Sequence, residues 1–300
     1  MPDNNHRDFA LNDILHSGSA WRPPGYLMVI GGADRLDPDH ELARLFVELV
    51  QRAEAHSSLR DIVIISTATR HPEILTAEYV SIFRKLGLDR KRVHAPIIRN
   101  SDEAHLTENV RLLSGAAGVF ITGGDQYALS QALDGTPVEG AIMEAFGRGA
   151  IIAGTSAGAT AMGRPMVVAG GGSGELRMGM VQMSRGMAWA GDDLIIDTHF
   201  GARGRFPRLA AAVAEHPAAL GIGIDENTCL LIDSEGYCVV VGTGVVYFVD
   251  ASHVLVNSAR MARTGQAITV GSLRVDVLSA GSGYHLRYRR MLAMDGVSKV

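Results

Sequence analysis

The sequence predicts an α/β fold: a doubly wound, mostly parallel sheet flanked by helices, with antiparallel strands in the C-terminal part. In the first half, short runs that are continuously apolar alternate with stretches whose apolar residues have helical spacing. Continuously apolar runs are typical of parallel strands that are covered on both faces. After about residue 220, apolar runs follow one another with only turn residues such as Ser234-Glu235-Gly236 between them. This second pattern indicates hairpins or an antiparallel edge of the main sheet.

The individual elements follow from these patterns in chain order. Strands are predicted in the first half at residues 26–30, 61–65, 118–121 and 150–153. Helices are predicted between them at residues 39–55, 72–86, 104–113 and 138–146. Closely spaced strands are predicted later at residues 228–232, 237–241 and 245–249. Because no linker or repeat is visible, residues 25–300 are expected to form one domain, preceded by a flexible extension over residues 1–24.

The bulk composition indicates a folded protein that binds neither nucleic acid nor a membrane. Apolar residues make up 47% and charged residues 20% of the chain, which are ordinary globular values. The formal net charge is −4 and no long run of one sign occurs, so neither nucleic acid nor an acidic membrane surface is an expected partner. No apolar run approaches the roughly 20 residues that span a bilayer, and the N-terminus lacks the pattern of a secretory signal. Cys229 and Cys238 lie within apolar runs and are expected to be buried thiols, which favours a cytoplasmic location.

The sharpest chemical motif is Gly154-Thr155-Ser156-Ala157-Gly158, which follows a predicted strand directly. A nucleophile on a tight strand-to-helix turn needs small neighbours, because the backbone is strained and the hydroxyl must stand clear of the sheet. The start of a helix also supplies amides and a positive dipole end for a developing oxyanion. The motif therefore predicts Ser156 as a nucleophile, the alternative being a Gly/Ser turn that caps an ordinary helix.

A second polar segment supplies a base for this serine. His199 and Asp197 follow an apolar strand, and the ends of strands are where α/β sheets place catalytic groups. The two-residue period of a strand predicts that these two side chains share a face. Pro207 is placed to begin the next helix.

Three arginines follow His199 at once, at positions 203, 205 and 208. Guanidinium groups crowded in this way repel one another unless an anion is bound or carboxylates neutralise them. A substrate with carboxylates would satisfy them through bidentate hydrogen bonds. The alternatives are salt bridges to Asp192, Asp193 and Glu215, or phosphate binding, although no Walker-type lysine or interleaved aromatic residue supports a nucleotide.

Further candidates lie at other strand ends. Asp225 and Glu226 follow an apolar strand, and one of these carboxylates is expected to orient the histidine; spacing alone leaves the choice open. The pairs Gly31-Gly32 and Gly123-Gly124 each follow a strand, so their amides are candidates for an oxyanion hole, with ligand-free turns as the alternative. Gln126 is a candidate for binding a substrate amide or carboxylate. The glycine-rich segment 170–174 is either a wall or lid of the site or a plain surface linker.

Taken together, these motifs resemble those of the cyanophycinases of peptidase family S51. These are serine exopeptidases related to aspartyl dipeptidase and, in fold, to the class I glutamine amidotransferases and flavodoxin-like proteins. The resemblance runs from about Leu27 to Phe248 in unbroken motif order. The string His-Phe-x-x-Arg-x-Arg-x-x-Arg, which begins at His199, is specific.

The resemblance implies a role for each matching position. It makes Ser156 the nucleophile, His199 the base, and Glu226 rather than Asp225 the acidic third member. Independently of the resemblance, the amides near Gly124 and Ala157 are expected to hold the oxyanion. The resemblance also implies a set of residues around the substrate: Gln126, Ser173, Asp197, Arg203, Arg205 and Arg208. The family cleaves cyanophycin, a polyaspartate that carries arginine in isopeptide linkage, and releases β-aspartyl-arginine dipeptides. A carboxylate-rich peptide or polymer is therefore the expected partner, a homodimer the expected assembly, and no metal or organic cofactor is expected.

One position departs from this pattern. Thr198 stands where the cyanophycinases carry glutamine, so another β-aspartyl compound or isopeptide is an alternative substrate. An aspartyl or isoaspartyl dipeptidase on the same scaffold is the nearest alternative activity. An alternative from another class is a non-catalytic binding protein with an amidotransferase-like fold.

Overall fold

The helices lie close to where the sequence predicts them. The computed structural model describes residues 24–171 and 174–292. Its α-helices are Glu41–His56 (α1), Pro72–Lys85 (α2), Thr107–Ser114 (α3), Gln126–Leu133 (α4), Pro137–Gly147 (α5), Ala157–Thr160 (α6) and Phe206–Glu215 (α7). Short 3-10 turns cover Asp34–Leu36, Arg90–Arg92, Glu103–His105 and Ala259–Met261. The four helices predicted in the first half are confirmed, and α7 carries Pro207 in its first turn as expected, whereas α4 was not predicted.

The strands follow the predicted runs and add several short ones. In the first half they are Leu27–Ile30 (β1), Arg60–Ile65 (β2), Val93–His94 (β3), Ala116–Ile121 (β4) and Ile151–Thr155 (β5). The middle of the chain holds Met166–Gly170 (β6), Val181–Ser184 (β7), Leu194–Thr198 (β8), Leu220–Ile224 (β9) and Thr228–Ile232 (β10). The remainder are Tyr237–Gly242 (β11), Val245–Asp250 (β12), Val256–Asn257 (β13), Val270–Gly271 (β14), Arg274–Ser279 (β15), Gly283–His285 (β16) and Arg290–Met291 (β17).

The main sheet has nine strands in the order β17-β16-β11-β10-β1-β5-β4-β2-β3. Strands β1 to β5 pair in parallel, as their continuously apolar runs predict, whereas β10, β11, β16 and β17 extend the sheet through antiparallel pairings. The predicted α/β class and the antiparallel C-terminal part are therefore confirmed. The sheet as a whole is mixed rather than mostly parallel.

A second, separate sheet has four strands in the order β15-β12-β9-β8. Within it β8 and β9 are parallel, and β12 is antiparallel to both β9 and β15. The sequence pattern does not separate β12 from its neighbours β10 and β11, which belong to the main sheet. This division matters for the site, because β8 and β9 end directly before His199 and Asp225.

The core packs helices against the main sheet through aromatic side chains. Phe46 of α1 and Tyr79 of α2 both contact Phe120 of β4, with ring centroids 5.3 and 4.6 Å apart. All three side chains are buried, and each burial stabilises the fold by about 1.5–3 kcal/mol. Cys229 and Cys238 are free and buried, as predicted. Among the described residues, no helix is long and apolar enough to cross a membrane.

Candidate active site

Ser156 lies on a sharp turn between strand β5 and helix α6. Its backbone has φ 52° and ψ −112°, a conformation that is costly for a residue with a side chain. The turn is held because Ser156 N donates to Ile30 O of the neighbouring strand at 3.0 Å. The strained backbone raises the hydroxyl above the end of the sheet, in the manner expected of a nucleophile.

The two glycines of the motif are required by close backbone contacts. A β-carbon at Gly154 would lie 2.6 Å from Gly158 O, and one at Gly158 would lie 2.5 Å from Ile121 O. Real side chains do not fit at such distances. The helix therefore approaches the sheet closely enough to place Ser156 only because both flanking residues are glycine.

His199 follows β8 and reaches across to Ser156 from the second sheet. Its own φ is 50°, and its amide donates to Gly31 O at 2.8 Å. A β-carbon at Gly32 would lie 2.5 Å from His199 Nε2. The first glycine pair therefore anchors and accommodates the histidine, a role that the sequence analysis did not assign, and Gly31 N is itself bonded to Thr228 O.

Three side chains form one continuous chain of hydrogen bonds. Ser156 Oγ and His199 Nε2 are 2.9 Å apart, and His199 Nδ1 and Glu226 Oε1 are 2.6 Å apart. Asp225, the other candidate, instead accepts from the amides of Gly201 and Val245. Spacing alone left the choice between the two carboxylates open, and the structure brings Glu226 to the histidine.

The surroundings of His199 favour its neutral form. Burial lowers the pKa of His199, the hydrogen bond that it donates to Glu226 opposes this, and the positive charge of Arg203 lowers the pKa further. A histidine whose pKa is lowered stays unprotonated to more acidic pH. The imidazole is therefore prepared to accept a proton rather than already carrying one.

The prediction that Asp197 and His199 share a face is wrong. Asp197 is fully buried and points toward α7, whereas Thr198 faces Thr160 of α6 and His199 faces Ser156. The two-residue period ends at Thr198, because the positive φ of His199 turns its side chain out of the strand alternation.

Asp197 lies between two of the three arginines rather than in the open site. Arg208 binds its carboxylate through Nε and Nη2 at 2.6 and 2.5 Å, and Arg205 Nη1 lies 3.1 Å from Oδ1. Two of the alternative carboxylates are engaged elsewhere, since Asp192 pairs with Arg164 and Glu215 accepts from Gly179 N. Two guanidinium groups thus share one buried carboxylate, which leaves a local excess of positive charge.

Arg203 differs from the other two arginines. Its side chain is exposed and lines the same cavity as Ser156, His199 and Glu226. Within the described ranges no carboxylate pairs with it. Of the three arginines, Arg203 is therefore the one placed to meet a ligand directly.

The remaining predicted substrate residues lie at the edge of this arrangement or beyond it. Gln126, the first residue of α4, donates through Nε2 to Val167 O and Val168 O at 2.8 and 3.2 Å, and so ties the helix to β6. Ser173 lies outside the described residues. Gly170 O accepts from Arg208, and a β-carbon at Gly171 would lie 2.6 Å from that side chain, so the start of the glycine-rich segment packs on the arginine group.

The predicted oxyanion-hole residues Gly124 and Ala157 lie in segments close to Ser156. Ala157 is the first residue of α6, so its N–H has no acceptor within the helix. Gly123 packs against Ser156, with a β-carbon there falling 3.2 Å from Ser156 Cβ, and Gly124 follows with φ 144°. These positions are those predicted to supply an oxyanion hole.

The cavity beside these residues has a volume of about 560 Å³. Gly123, Gly124, Ser156, His199, Arg203 and Glu226 line one part of it. The rest of the lining comes from Thr155, from the segment after β1, from the segment that leads into α2 and from α2 itself. No role was predicted from the sequence for this second part of the cavity lining.

A buried carboxyl group in the cavity wall was also missed. Asp34 accepts from Thr155 Oγ1 at 2.5 Å and from Tyr79 Oη at 3.0 Å, so it connects β5 with α2 directly beneath the serine. Burial raises the pKa of Asp34, although both hydrogen bonds oppose the rise. Its place just after Gly31-Gly32 at a strand end was the available signal.

Comparison with known proteins identifies the family of this chain. Residues 27–240 match the model of peptidase family S51. The chain is 37% identical to a cyanophycinase of Nostoc sp. over 267 residues, which cover 89% of this chain and 87% of that one. It is 33% identical to a cyanophycinase of Synechococcus elongatus over 273 residues, covering 91% and 81% of the two chains.

Solved structures share the fold at lower sequence identity. The crystal structure of a peptidase from an acI-B1 Actinobacterium superposes with a TM-score of 0.65 at 21% identity, covering 87% of this chain and 96% of that one. A putative peptidase E protein from Listeria monocytogenes superposes with a TM-score of 0.50 at 16% identity, covering 73% and 99%. The match of the family model over most of the chain and the identity to the curated relatives together establish that this chain belongs to peptidase family S51.

Proposed function

We propose that the chain is a serine peptidase that hydrolyses cyanophycin to β-aspartyl-arginine dipeptides. The observation that carries this proposal is the continuous chain of hydrogen bonds from Ser156 Oγ through His199 to Glu226. The curated relatives named cyanophycinase, at 33% and 37% identity, support the substrate.

The proposed chemistry gives each of these three side chains one role. His199 Nδ1 donates to Glu226 and Nε2 accepts the Ser156 proton as Oγ attacks the scissile carbonyl carbon. The C–N bond then breaks, and His199 gives its proton to the leaving amine. A water molecule, deprotonated by His199 in turn, hydrolyses the acyl-enzyme and restores the serine hydroxyl. Glu226 fixes the imidazole and stabilises its charged form.

The oxyanion of the tetrahedral intermediate is proposed to bind the amides of Gly124 and Ala157. Preorganised donors of this kind contribute about 2.7–4 kcal/mol each to transition-state stabilisation. The support is local: Ala157 begins α6 and Gly124 lies in the cavity lining together with Ser156.

Recognition of a carboxylate-rich substrate is proposed to depend on Arg203. It is the exposed member of the arginine group and it lines the cavity. We propose that Asp197, Arg205 and Arg208 position the segment that carries Arg203 and His199, since they are mutually paired and largely buried. Gln126 and Ser173 remain candidates for substrate contacts.

The test is hydrolysis of purified cyanophycin with mass spectrometry of the products. The wild-type chain is expected to release β-aspartyl-arginine, and Ser156→Ala should abolish release while the thermal unfolding curve stays cooperative. Ser114→Ala, at the end of α3 and outside the cavity lining, is the matched control and should retain full activity. Activity in Ser156→Ala would reject the assignment of the nucleophile.

The same measurement separates the alternative activities. Consumption of soluble β-aspartyl dipeptides with the polymer left intact would favour an isoaspartyl dipeptidase. No turnover of either, together with no labelling of Ser156 by a fluorophosphonate probe, would favour a non-catalytic binding protein.

We further propose that residues 25–300 form one domain that acts as a cytoplasmic homodimer. One hydrophobic cluster includes side chains of both sheets, such as Ile152 of the first and Ile222 of the second, which supports a single folding unit. The free buried thiols suit a reducing compartment. Sedimentation analysis tests the dimer, and limited proteolysis tests the domain.

A further inference from the structure

The cavity lining contains an ion pair that has no role in the proposed chemistry. Arg35, in the 3-10 turn after β1, and Glu78, on α2, both line the cavity that contains Ser156. Arg35 Nη1 lies 2.8 Å from Glu78 Oε2. The pair therefore presents one guanidinium and one carboxylate to the space beside the nucleophile.

This ion pair is able to open. Each of the two side chains is 43% exposed, so solvent screens their attraction and the pair contributes little to stability. Both are long side chains with several rotatable bonds. A ligand that offers a charge to each partner would replace one screened contact by two charge-assisted hydrogen bonds.

Apolar side chains border the same ion pair. Leu36 is 69% and Ile74 is 62% exposed, and both line the cavity. Ile74 and Glu78 are four residues apart on α2 and so lie on the same face of the helix. Large apolar side chains exposed beside a carboxylate suit a ligand that has a methylene stem and a cationic head.

We propose that Glu78, Arg35, Leu36 and Ile74 form a subsite for the arginine unit of the substrate. Glu78 accepts the substrate guanidinium in the place that the Arg35 guanidinium occupies in the free protein, and the released Arg35 binds the α-carboxylate of the same unit. Leu36 and Ile74 contact the methylene stem. This inference rests on the proposed function, because it names the chemistry by which that site selects its substrate.

The proposed contact between Glu78 and the substrate guanidinium is tested with synthetic β-aspartyl oligomers. These differ only in the pendant residue, which is arginine, lysine or citrulline. Citrulline keeps the shape of arginine but lacks its charge. The wild-type chain should cleave the arginine oligomer with a kcat/KM at least about 10-fold above that for citrulline, through a lower KM. Glu78→Gln should lose this preference, through a higher KM for the arginine oligomer.

The control is Glu73→Gln on the same helix. Glu73 is 65% exposed and pairs with Arg99, so its substitution removes the same charge from α2 outside the cavity lining. It should keep the wild-type preference. Retention of that preference in Glu78→Gln, or its loss in Glu73→Gln as well, would overturn the proposal.

Binding measurements separate the failure of this subsite from the failure of the proposed function. Calorimetry with Ser156→Ala, which is expected not to turn over the ligand, should show tighter binding of the arginine than of the citrulline oligomer. The difference should vanish in Ser156→Ala combined with Glu78→Gln. If the arginine and citrulline oligomers bind equally well to Ser156→Ala and also to the double variant, the subsite is rejected. This holds whether or not the wild-type chain hydrolyses the oligomers.

The proposed contact between Arg35 and the α-carboxylate is tested by a separate comparison. Arg35→Gln should weaken binding of oligomers with free α-carboxylates about 10-fold and leave amidated oligomers unaffected. Arg44→Gln, on the exposed face of α1, is the control for charge alone. A loss of affinity that is equal for free and amidated oligomers would contradict the carboxylate contact.

Discussion

Gly32 lies so close to His199 that a β-carbon at position 32 would fall 2.4 Å from the imidazole Cε1. Its φ of 102° is also one that residues with side chains rarely adopt. The position of the histidine is therefore set by a residue that carries no chemistry of its own.

Gly32→Ala is expected to lower kcat/KM by about 100-fold, because displacement of a catalytic group by about 1 Å has an effect of that size. Gly87→Ala is the matched control, since Gly87 has φ 92° but no atom within 4 Å of a β-carbon. Both variants bear the backbone strain, so an equal loss of activity in the two would contradict a contact with His199. Steady-state kinetics and thermal unfolding supply the comparison.

The ionisation of His199 gives a prediction for the pH profile. Burial is the main cause that lowers the pKa of His199, and the positive charge of Arg203 lowers it further. The hydrogen bond to Glu226 opposes both effects. The base is active when neutral, so the acid limb of kcat/KM should lie below the usual histidine value of about 6.5. Arg203→Gln removes a positive charge that disfavours the protonated imidazole, and the limb should then move to higher pH.

Arg203→Lys is the control for this shift, because it keeps the charge while it alters the hydrogen-bond geometry. Its acid limb should stay near that of the wild-type chain. A limb that does not move in Arg203→Gln, or that moves to lower pH, would argue against an electrostatic contact between the two side chains.

The sequence predicts the strands and most helices well, because continuously apolar runs and helical spacing are local signals. The motif around Ser156 is local in the same sense, since its glycines are each two positions in the chain from the residue that they position. Helix α4, which spans Gln126–Leu133, was missed. Its start was nevertheless signalled by Asp125, whose side chain accepts from the amides of Tyr127 and Ala128.

Other features depend on contacts between distant segments and could not be predicted from periodicity. The alternation along β8 placed Asp197 beside His199, but the positive φ of His199 breaks that alternation. This conformation is held by the bond from His199 N to Gly31 O, a partner 168 positions away in the chain. The assignment of β12 to a second sheet is likewise a matter of long-range pairing.

The hydrogen bonds beneath the serine give a prediction for stability. Tyr79→Phe removes a donor to the buried carboxyl group of Asp34, and the free energy of unfolding is expected to fall by about 1–3 kcal/mol. Tyr127→Phe is the control, because Tyr127 is 45% exposed and such substitutions change stability by less than about 0.5 kcal/mol. Urea unfolding of the two variants measures the difference, and equal stabilities would show that the bond contributes nothing.

The arrangement of Asp197 with its arginines gives the largest predicted loss of stability. The Asp197 side chain is fully buried, and those of Arg205 and Arg208 are only 17% and 11% exposed. Asp197→Ala would leave two guanidinium groups buried without a counter-charge, and removal of one partner from a buried ion pair destabilises a protein by about 3–5 kcal/mol. Asp192→Ala is the matched control, because Asp192 is 77% exposed in its pair with Arg164 and exposed pairs contribute about 0–1 kcal/mol. If urea unfolding gave similar losses for the two variants, the buried carboxylate would not be what holds the arginine segment, and the direct role in substrate binding expected for Asp197 from the sequence would regain support.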